Sequence, residues 1–157
     1  MNQFDEKMMR KAILLSKKSI AAGGGPFGAV VVKDGKEVAS DHNRVTLNND
    51  PTAHAEVNAI RKAAKKLNTF NLSGCEIYTS CEPCPMCLSA IYWARIDKIY
   101  YANTKTDAKK IGFDDSFIYE QMELPTEKRT IPVVQMLRDE AIETFVAWEQ
   151  DMNKTEY

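Results

Sequence analysis

Three cysteines, Cys81, Cys84 and Cys87, fall at intervals of three in T-S-C-E-P-C-P-M-C (79–87), interleaved with Pro83 and Pro85. Zinc takes nitrogen or sulfur ligands placed tetrahedrally, and Cys84 and Cys87 on one helical face can address a single ion. Two ligands are not enough. The chain has two histidines, and one of them, His54, lies in T-A-H-A-E where another helix is predicted to start. If both helices begin at the same edge of a sheet, their first turns converge, and helix N-termini favour the thiolate that binds metal. Glu56, two residues beyond His54, reaches the same region without having to be a ligand. A carboxylate there can take a proton from a water whose pKa zinc lowers from about 15.7 to about 7. The expectation is an open site with three protein ligands and one zinc per chain. Two other uses of these residues compete with it. Cys81, Cys84, Cys87 and His54 could form a closed structural site, and C-x-x-C could be a redox pair, which leaves H-A-E unexplained. Cys81 reads as a packed thiol, Cys75 as core and His42 as a solvated loop histidine.

These residues need a scaffold, and hydrophobic spacing supplies one. Met8, Ala12, Leu15 and Ser19 recur at helical intervals from Asp5 to about Ala22, and G-G-G-P (23–26) ends the run. F-G-A-V-V-V-K and E-V-A-S flank Asp34-Gly35, a hairpin signal. Residues 42–52 are polar and turn-rich, after which Val57, Ile60, Ala64 and Leu67 predict a helix beginning near His54. C-E-I-Y-T-S (75–80) predicts a strand, P-C-P-M-C-L-S-A-I-Y-W-A-R a helix with proline in its first turn, and D-K-I-Y-Y-A-N another strand. That alternation implies parallel pairing with helices packed on a sheet. Residues 103–130 read as irregular or weakly helical, I-P-V-V-Q-M-L (131–137) as a last strand, and D-E-A-I-E-T-F-V-A-W-E-Q-D-M as a last helix.

A length of 157 residues with 44% hydrophobic and 27% charged residues suits one globular domain, 1–157. The opening M-N-Q-F-D-E-K-M-M-R-K lacks the order of a signal peptide, and no run approaches the roughly 18 apolar residues of a membrane span. A cytoplasmic protein with no membrane partner is expected. In that reducing compartment clustered cysteine points to metal or catalysis rather than to disulfides. The net charge of −1, from 21 basic and 22 acidic residues without a basic block, gives no electrostatic footprint for nucleic acid.

H-x-E followed by P-C-x-x-C is the signature of zinc deaminases of nucleobases, with the Glu as acid and base rather than ligand. Through His54-Ala55-Glu56 and Pro83-Cys84-Pro85-Met86-Cys87, and through G-P-F-G-A-V-V before them, the chain resembles the cytidine and cytosine deaminase superfamily. The resemblance implies an α/β fold of cytidine deaminase type, a three-layer α/β/α sandwich around a central mixed five-stranded sheet. With N-D-P-T-A-H-A-E (49–56), A-I-Y-W-A-R (90–95), G-F-D-D-S-F-I-Y (112–119) and the terminal Tyr157, it is most similar to the bacterial guanine deaminases of this fold.

That likeness implies hydrolysis of guanine to xanthine and ammonia, with zinc held by His54, Cys84 and Cys87. Zinc-bound hydroxide would attack the purine, with Glu56 as proton shuttle and Asp115 serving the departing amine. It implies Phe27 stacking on the base and Asn43 pairing with its edge, with Ala55 and Trp93 lining the pocket. It also implies a homodimer in which the C-terminal segment, about 139–157, crosses to the partner and Tyr157 closes its site. Each of these residues has a plainer use. Asn43 suits a turn, Phe27 and Trp93 suit packing, and D-D-S suits a helix cap. Guanosine, aminated triazines, cytosine and the wobble adenosine of tRNA are alternative substrates. A zinc-stabilised binding module without turnover is the non-enzymatic alternative.

Overall fold

The computed structural model describes residues 2–157. Helix α1 (Gln3–Ala21) opens with a reciprocal cap, in which the Asn2 side chain accepts from the Asp5 amide and Asp5 accepts from the Asn2 amide. It closes at Gly23, whose φ of 88° only glycine adopts without strain. Strands β1 (Gly28–Lys33) and β2 (Lys36–His42) form the expected hairpin, with Asp34 and Gly35 both at positive φ. A short helix α2 (Val45–Asn48) interrupts the polar loop before α3 (Ala55–Leu67). Strand β3 (Cys75–Cys81), helix α4 (Pro85–Trp93) and strand β4 (Lys98–Asn103) form the predicted parallel crossover, and α5 (Lys105–Lys110) follows.

The sheet order is β2-β1-β3-β4, mixed, with β1 antiparallel to both β2 and β3. Two successive reversals leave β2 and β3 running the same way. The helices that follow them, α3 and α4, therefore begin at the same edge of the sheet, as the metal hypothesis requires.

Side chains alternate across this sheet. Val30, Val32 and Tyr78 bury against Met8 and Ala12 of α1, whereas Ala29, Val31 and Ile77 bury against Ala55, Ala59 and Ala63 of α3 and Ile91 of α4. The layers are thus α/β/α. Small residues set their spacing. A Cβ on Gly28 would lie 2.3 Å from the carbonyl oxygen of Ala12, so α1 can rest directly on β1. No helix among the described residues is long and apolar enough to cross a membrane.

The sheet has four strands among the described residues, not the five expected. Residues 131–137 carry the β-prone composition that suggested a fifth, but they are exposed and make no ladder. Pro132 lacks a donor, and a strand has little stability without a neighbour to pair with and a face to bury.

The chain divides into two compact units at Asp115/Ser116. The second contains α6 (Ser116–Glu123), a 3-10 turn at Thr126–Lys128 and α7 (Arg138–Gln150).

One carboxylate of the hairpin is locked by charge. Asp41, 4% exposed, receives Lys62 Nζ at 2.7 Å and Arg44 Nη2 at 3.0 Å. Burial works to raise its pKa, but hydrogen bonds from Arg44, Lys62 and the His42 amide outweigh it and hold the group below its ordinary value. Because the folded pKa is depressed, the stabilisation is present above the unfolded value of about 3.9 and is lost as pH falls through the folded one. Asp41→Ala should cost about 2 kcal/mol at neutral pH, and the gap to wild type should shrink on acidification below about pH 4, as read by denaturant melts.

Candidate active site

His54 and Cys84 occupy equivalent places. Each is the residue that opens its helix, α3 or α4, with extended backbone (φ −68°, ψ 155° and φ −66°, ψ 169°), and neither side chain caps its own helix. Pro85 follows at the first helical position, where its missing N–H costs nothing. Cys87 stands one turn further along α4 on the same face. The two side chains left uncommitted by the helix starts therefore meet the third. Cys84 Sγ lies 3.6 Å from His54 Nδ1, and Cys87 Sγ lies 3.4 Å from it.

The three ligand atoms lie within 4.8 Å of one another, and no other such group occurs among the described residues. Zinc bonds of about 2.3 Å to sulfur and about 2.0–2.1 Å to nitrogen, at tetrahedral angles, place sulfur and nitrogen about 3.6 Å apart. The donor set and its spacing fit zinc with one tetrahedral position left over.

Proton sharing within the cluster shows the same fit. The hydrogen bond from Cys87, then that with His54, pulls the Cys84 thiol down to about 4 against the opposing effect of burial. The hydrogen bond to Cys84, with burial, pushes Cys87 up, and the bond to Cys84 raises His54. These shifts favour thiolate at Cys84 and favour proton retention at Cys87 and His54, so a metal cation competes with protons for the cluster.

Glu56, the second residue of α3, is 6% exposed and has no ion pair with lysine or arginine among the described residues. Burial pushes its carboxyl above the usual range, and it interacts with the Cys87 thiol. A buried carboxyl with raised pKa beside a metal cluster is suited to accept and return a proton.

Asn43 is buried and held on several sides. Its N–H donates to the Phe27 carbonyl at 3.0 Å, and its carbonyl accepts from Ser19 Oγ at 3.0 Å. Its side-chain oxygen accepts from the amides of Val45 (3.1 Å) and Gly25 (3.4 Å). No described residue accepts from its amide nitrogen. Phe27 precedes β1 and packs partly against the core, its ring edge-to-face with Phe113 at 4.9 Å. Phe113 belongs to the same short stretch as Asp115, which is partly buried. Burial raises the Asp115 carboxyl, and the negative charge at Cys84 adds to the shift. Ala55 is fully buried as the first residue of α3, with no intrahelical acceptor for its N–H.

Trp93 ends α4, roughly 13 Å along the axis from Cys84, and is 65% exposed beside a surface hollow lined by Ser89, Tyr92 and Arg95. Helical rise alone separates it from the metal cluster of its own chain. Tyr157 is exposed within the second unit.

Cys81 is buried at the end of β3, its thiol near the Thr104 carbonyl at 3.7 Å and pushed up to about 11 by burial. It stands outside the cluster, which removes the closed four-ligand site. Cys75 is core. His42 is not a free loop histidine, because it ends β2 with its ring against the Asn43 carbonyl at 2.9 Å.

Sequence reasoning passed over Asn58, whose side chain donates to the carbonyls of both His42 and Ala53. Its position one helical turn after His54 was the available signal.

Known proteins are similar to this chain in sequence and fold. The family described as the cytidine and deoxycytidylate deaminase zinc-binding region matches residues 2–103. Guanine deaminase of Bacillus subtilis (strain 168) is 54% identical over 153 residues, covering 97% of this chain and 98% of that protein. The X-ray structure of guanine deaminase from Bacillus subtilis superposes with a TM-score of 0.95, covering 100% of this chain and 99% of that one. The tRNA-specific adenosine deaminase of Aquifex aeolicus (strain VF5) is 41% identical over 97 residues, 62% of this chain and 64% of that protein.

Since protons and zinc compete for His54 and Cys87, zinc retention should fall as pH is lowered. Dialysis against a chelator should strip more metal at about pH 5 than at about pH 8, and Cys84→Ser should reduce bound zinc at both, as measured by metal analysis.

Proposed function

This chain belongs to the cytidine and deoxycytidylate deaminase zinc-binding family, and we propose that it hydrolyses guanine to xanthine and ammonia. The observation that carries the hydrolytic reading is Glu56, a buried carboxyl that has no lysine or arginine partner among the described residues and stands beside a three-ligand metal cluster. The choice of guanine rests on 54% identity, over nearly the whole length, to a guanine deaminase.

His54, Cys84 and Cys87 would hold zinc, whose Lewis acidity would lower the pKa of water to about 7 and so provide a nucleophile at neutral pH. Glu56 accepts the proton that the attacking water gives up and returns it to the ring nitrogen beside C2. Addition makes C2 tetrahedral. The amine departs as ammonia once it has gained a proton; in this reading Asp115 supplies it, and its raised pKa, which retains a proton to higher pH than an ordinary carboxyl, supports that role.

In this reading binding falls to Asn43, Phe27 and Ala55. With its side-chain oxygen committed to Gly25 and Val45, Asn43 offers its amide nitrogen to an acceptor on the purine edge. Phe27, braced edge-on by Phe113, presents a ring face for stacking. Ala55 offers its N–H.

The same reading includes a homodimer. The unit from Ser116 onward exposes Phe117, Met122, Val134, Phe145 and Trp148, among other large apolar side chains. That much apolar surface calls for a second copy to cover it. In the dimer the C-terminal segment crosses to the partner, Tyr157 closes the partner's pocket, and residues 131–137 gain the sheet neighbour that makes them a fifth strand. Thiol ligands suit a reducing cytosol.

Purified zinc-loaded protein should release ammonia from guanine. Release from guanosine instead would keep the zinc chemistry and refute a pocket closed against ribose. Glu56→Gln should keep its zinc and lose about 10²–10⁴-fold in kcat; a binding module without turnover would show no activity to lose. Deleting residues 155–157 should impair turnover with zinc content intact, and unchanged turnover would remove the role given to Tyr157.

A further inference from the structure

Asn58 lies in the first turns of α3, where its N–H donates to the His54 carbonyl at 3.0 Å. Its side chain spends one amide nitrogen on two carbonyl oxygens, that of His42 at 3.2 Å and that of Ala53 at 3.2 Å. Carbonyl oxygens only accept, so the amide orientation is fixed by chemistry. The two acceptors have separate importance. His42 immediately precedes Asn43, and Ala53 immediately precedes His54. One side chain thus grips the main chain just ahead of the residue offered to the purine and just ahead of the turn that carries the metal ligand and Glu56.

Between these points runs a loop built on turn chemistry, with Asn49 at φ 50° and Asp50 accepting from the amide and hydroxyl of Thr52. Such a segment carries no ladder of its own to set its distance from α3. A single main-chain bond, from the Arg44 amide to the Ala53 carbonyl at 2.9 Å, also spans it. Two ion pairs from further along α3, Lys62 to Asp41 and Arg61 to Asp50, fasten the end of β2 and the loop at their charged side; Asn58 adds two neutral hydrogen bonds, the ones that reach the main chain next to Asn43 and next to His54. From the other side Phe27, Ser19 and Gly25 hold Asn43 against β1 and α1.

We infer that Asn58 is a positioning residue for the deamination, setting the distance between Asn43 and the His54–Glu56 turn so that a purine held by Asn43 meets Glu56 in register. The inference rests on the proposed guanine reading. A proton passes between Glu56 and the base only within about 2.6–3.2 Å, and a misplacement of about 1 Å can cost about a hundredfold in rate. Loss of the clamp should therefore act through Asn43 and leave the metal in place.

A double-mutant cycle on the full-length, zinc-loaded protein tests this, reading kcat/KM on guanine for wild type, Asn58→Ala, Asn43→Ala and the double variant. Asn58→Ala should lower kcat/KM by about tenfold or more with bound zinc unchanged. In the Asn43→Ala background the same substitution should cost less than about threefold, because the residue it positions is gone. Additive losses overturn the inference, as does loss of zinc in Asn58→Ala. Where alanine does not yield folded protein, Asn58→Ser keeps one hydroxyl donor and the same cycle applies. Failure of both to fold with zinc also overturns it, since the side chain is then required for folding. A wild-type protein silent on guanine overturns both this inference and the reading beneath it, whereas additivity in an active enzyme overturns only the role of Asn58.

Discussion

The site depends on two helices starting at one edge of the sheet, close enough for the first residues of both to share an ion. Strand order supplies the common edge, since β2 and β3 run parallel on either side of β1. Small side chains supply the closeness. Ala55, Ala59 and Ala63 form the buried stripe of α3, so that helix approaches β1 and α4 without large side chains holding it away. The positive ends of two helix dipoles then face the same cluster, which favours thiolate and makes the region a natural place for anionic sulfur. Had His54 or Cys84 capped its own helix, as a serine or aspartate would, its ligand atom would have been committed elsewhere.

Much of this was legible in the sequence, for a physical reason. Metal ligands, proline at a helix start and glycine at a turn are local signals whose meaning survives any tertiary context. Thus Asp34-Gly35 marks the hairpin, Pro85 marks the start of α4, and His54 with Cys84 and Cys87 marks the metal. Hydrophobic period then places the helices, because α1 and α3 each bury one face. What the sequence could not show is contact across space. Nothing in the spacing of Asn43 reveals that its side-chain oxygen is already used by Gly25 and Val45, or that Phe113 braces Phe27. Trp93 illustrates the converse, since it lies close to Cys87 in sequence yet stands exposed at the far end of α4.

Residues 131–137 fail for a different reason. Their composition favours a strand, but strand formation is a property of pairs. Apolar side chains along this stretch and along α7 remain exposed, so the local preference is left without the neighbour that would express it. A sequence read as one chain assumes that every preference is satisfied within that chain. The dimer proposed above is the arrangement in which this assumption gives way while the preferences themselves stand.

The carboxylates show how environment divides one chemical group among several tasks. Asp41 and Glu56 are both nearly inaccessible, and burial works to raise the pKa of each. Asp41 faces Arg44 and Lys62, whose hydrogen bonds overcome that effect, so it stays charged and acts as a fastening between β2, the loop and α3. Glu56 has no such cations, and the opposing influence of His54 is smaller than that of burial. It therefore retains its proton to higher pH than Asp41 does. A permanent ion pair at Glu56 would fix its charge and remove its ability to exchange a proton, whereas an unpaired carboxyl at Asp41 would leave two cations without their partner and a hairpin without its tie. The absence of an arginine or lysine beside Glu56 is thus as much a part of the proposed proton transfer as the carboxyl itself.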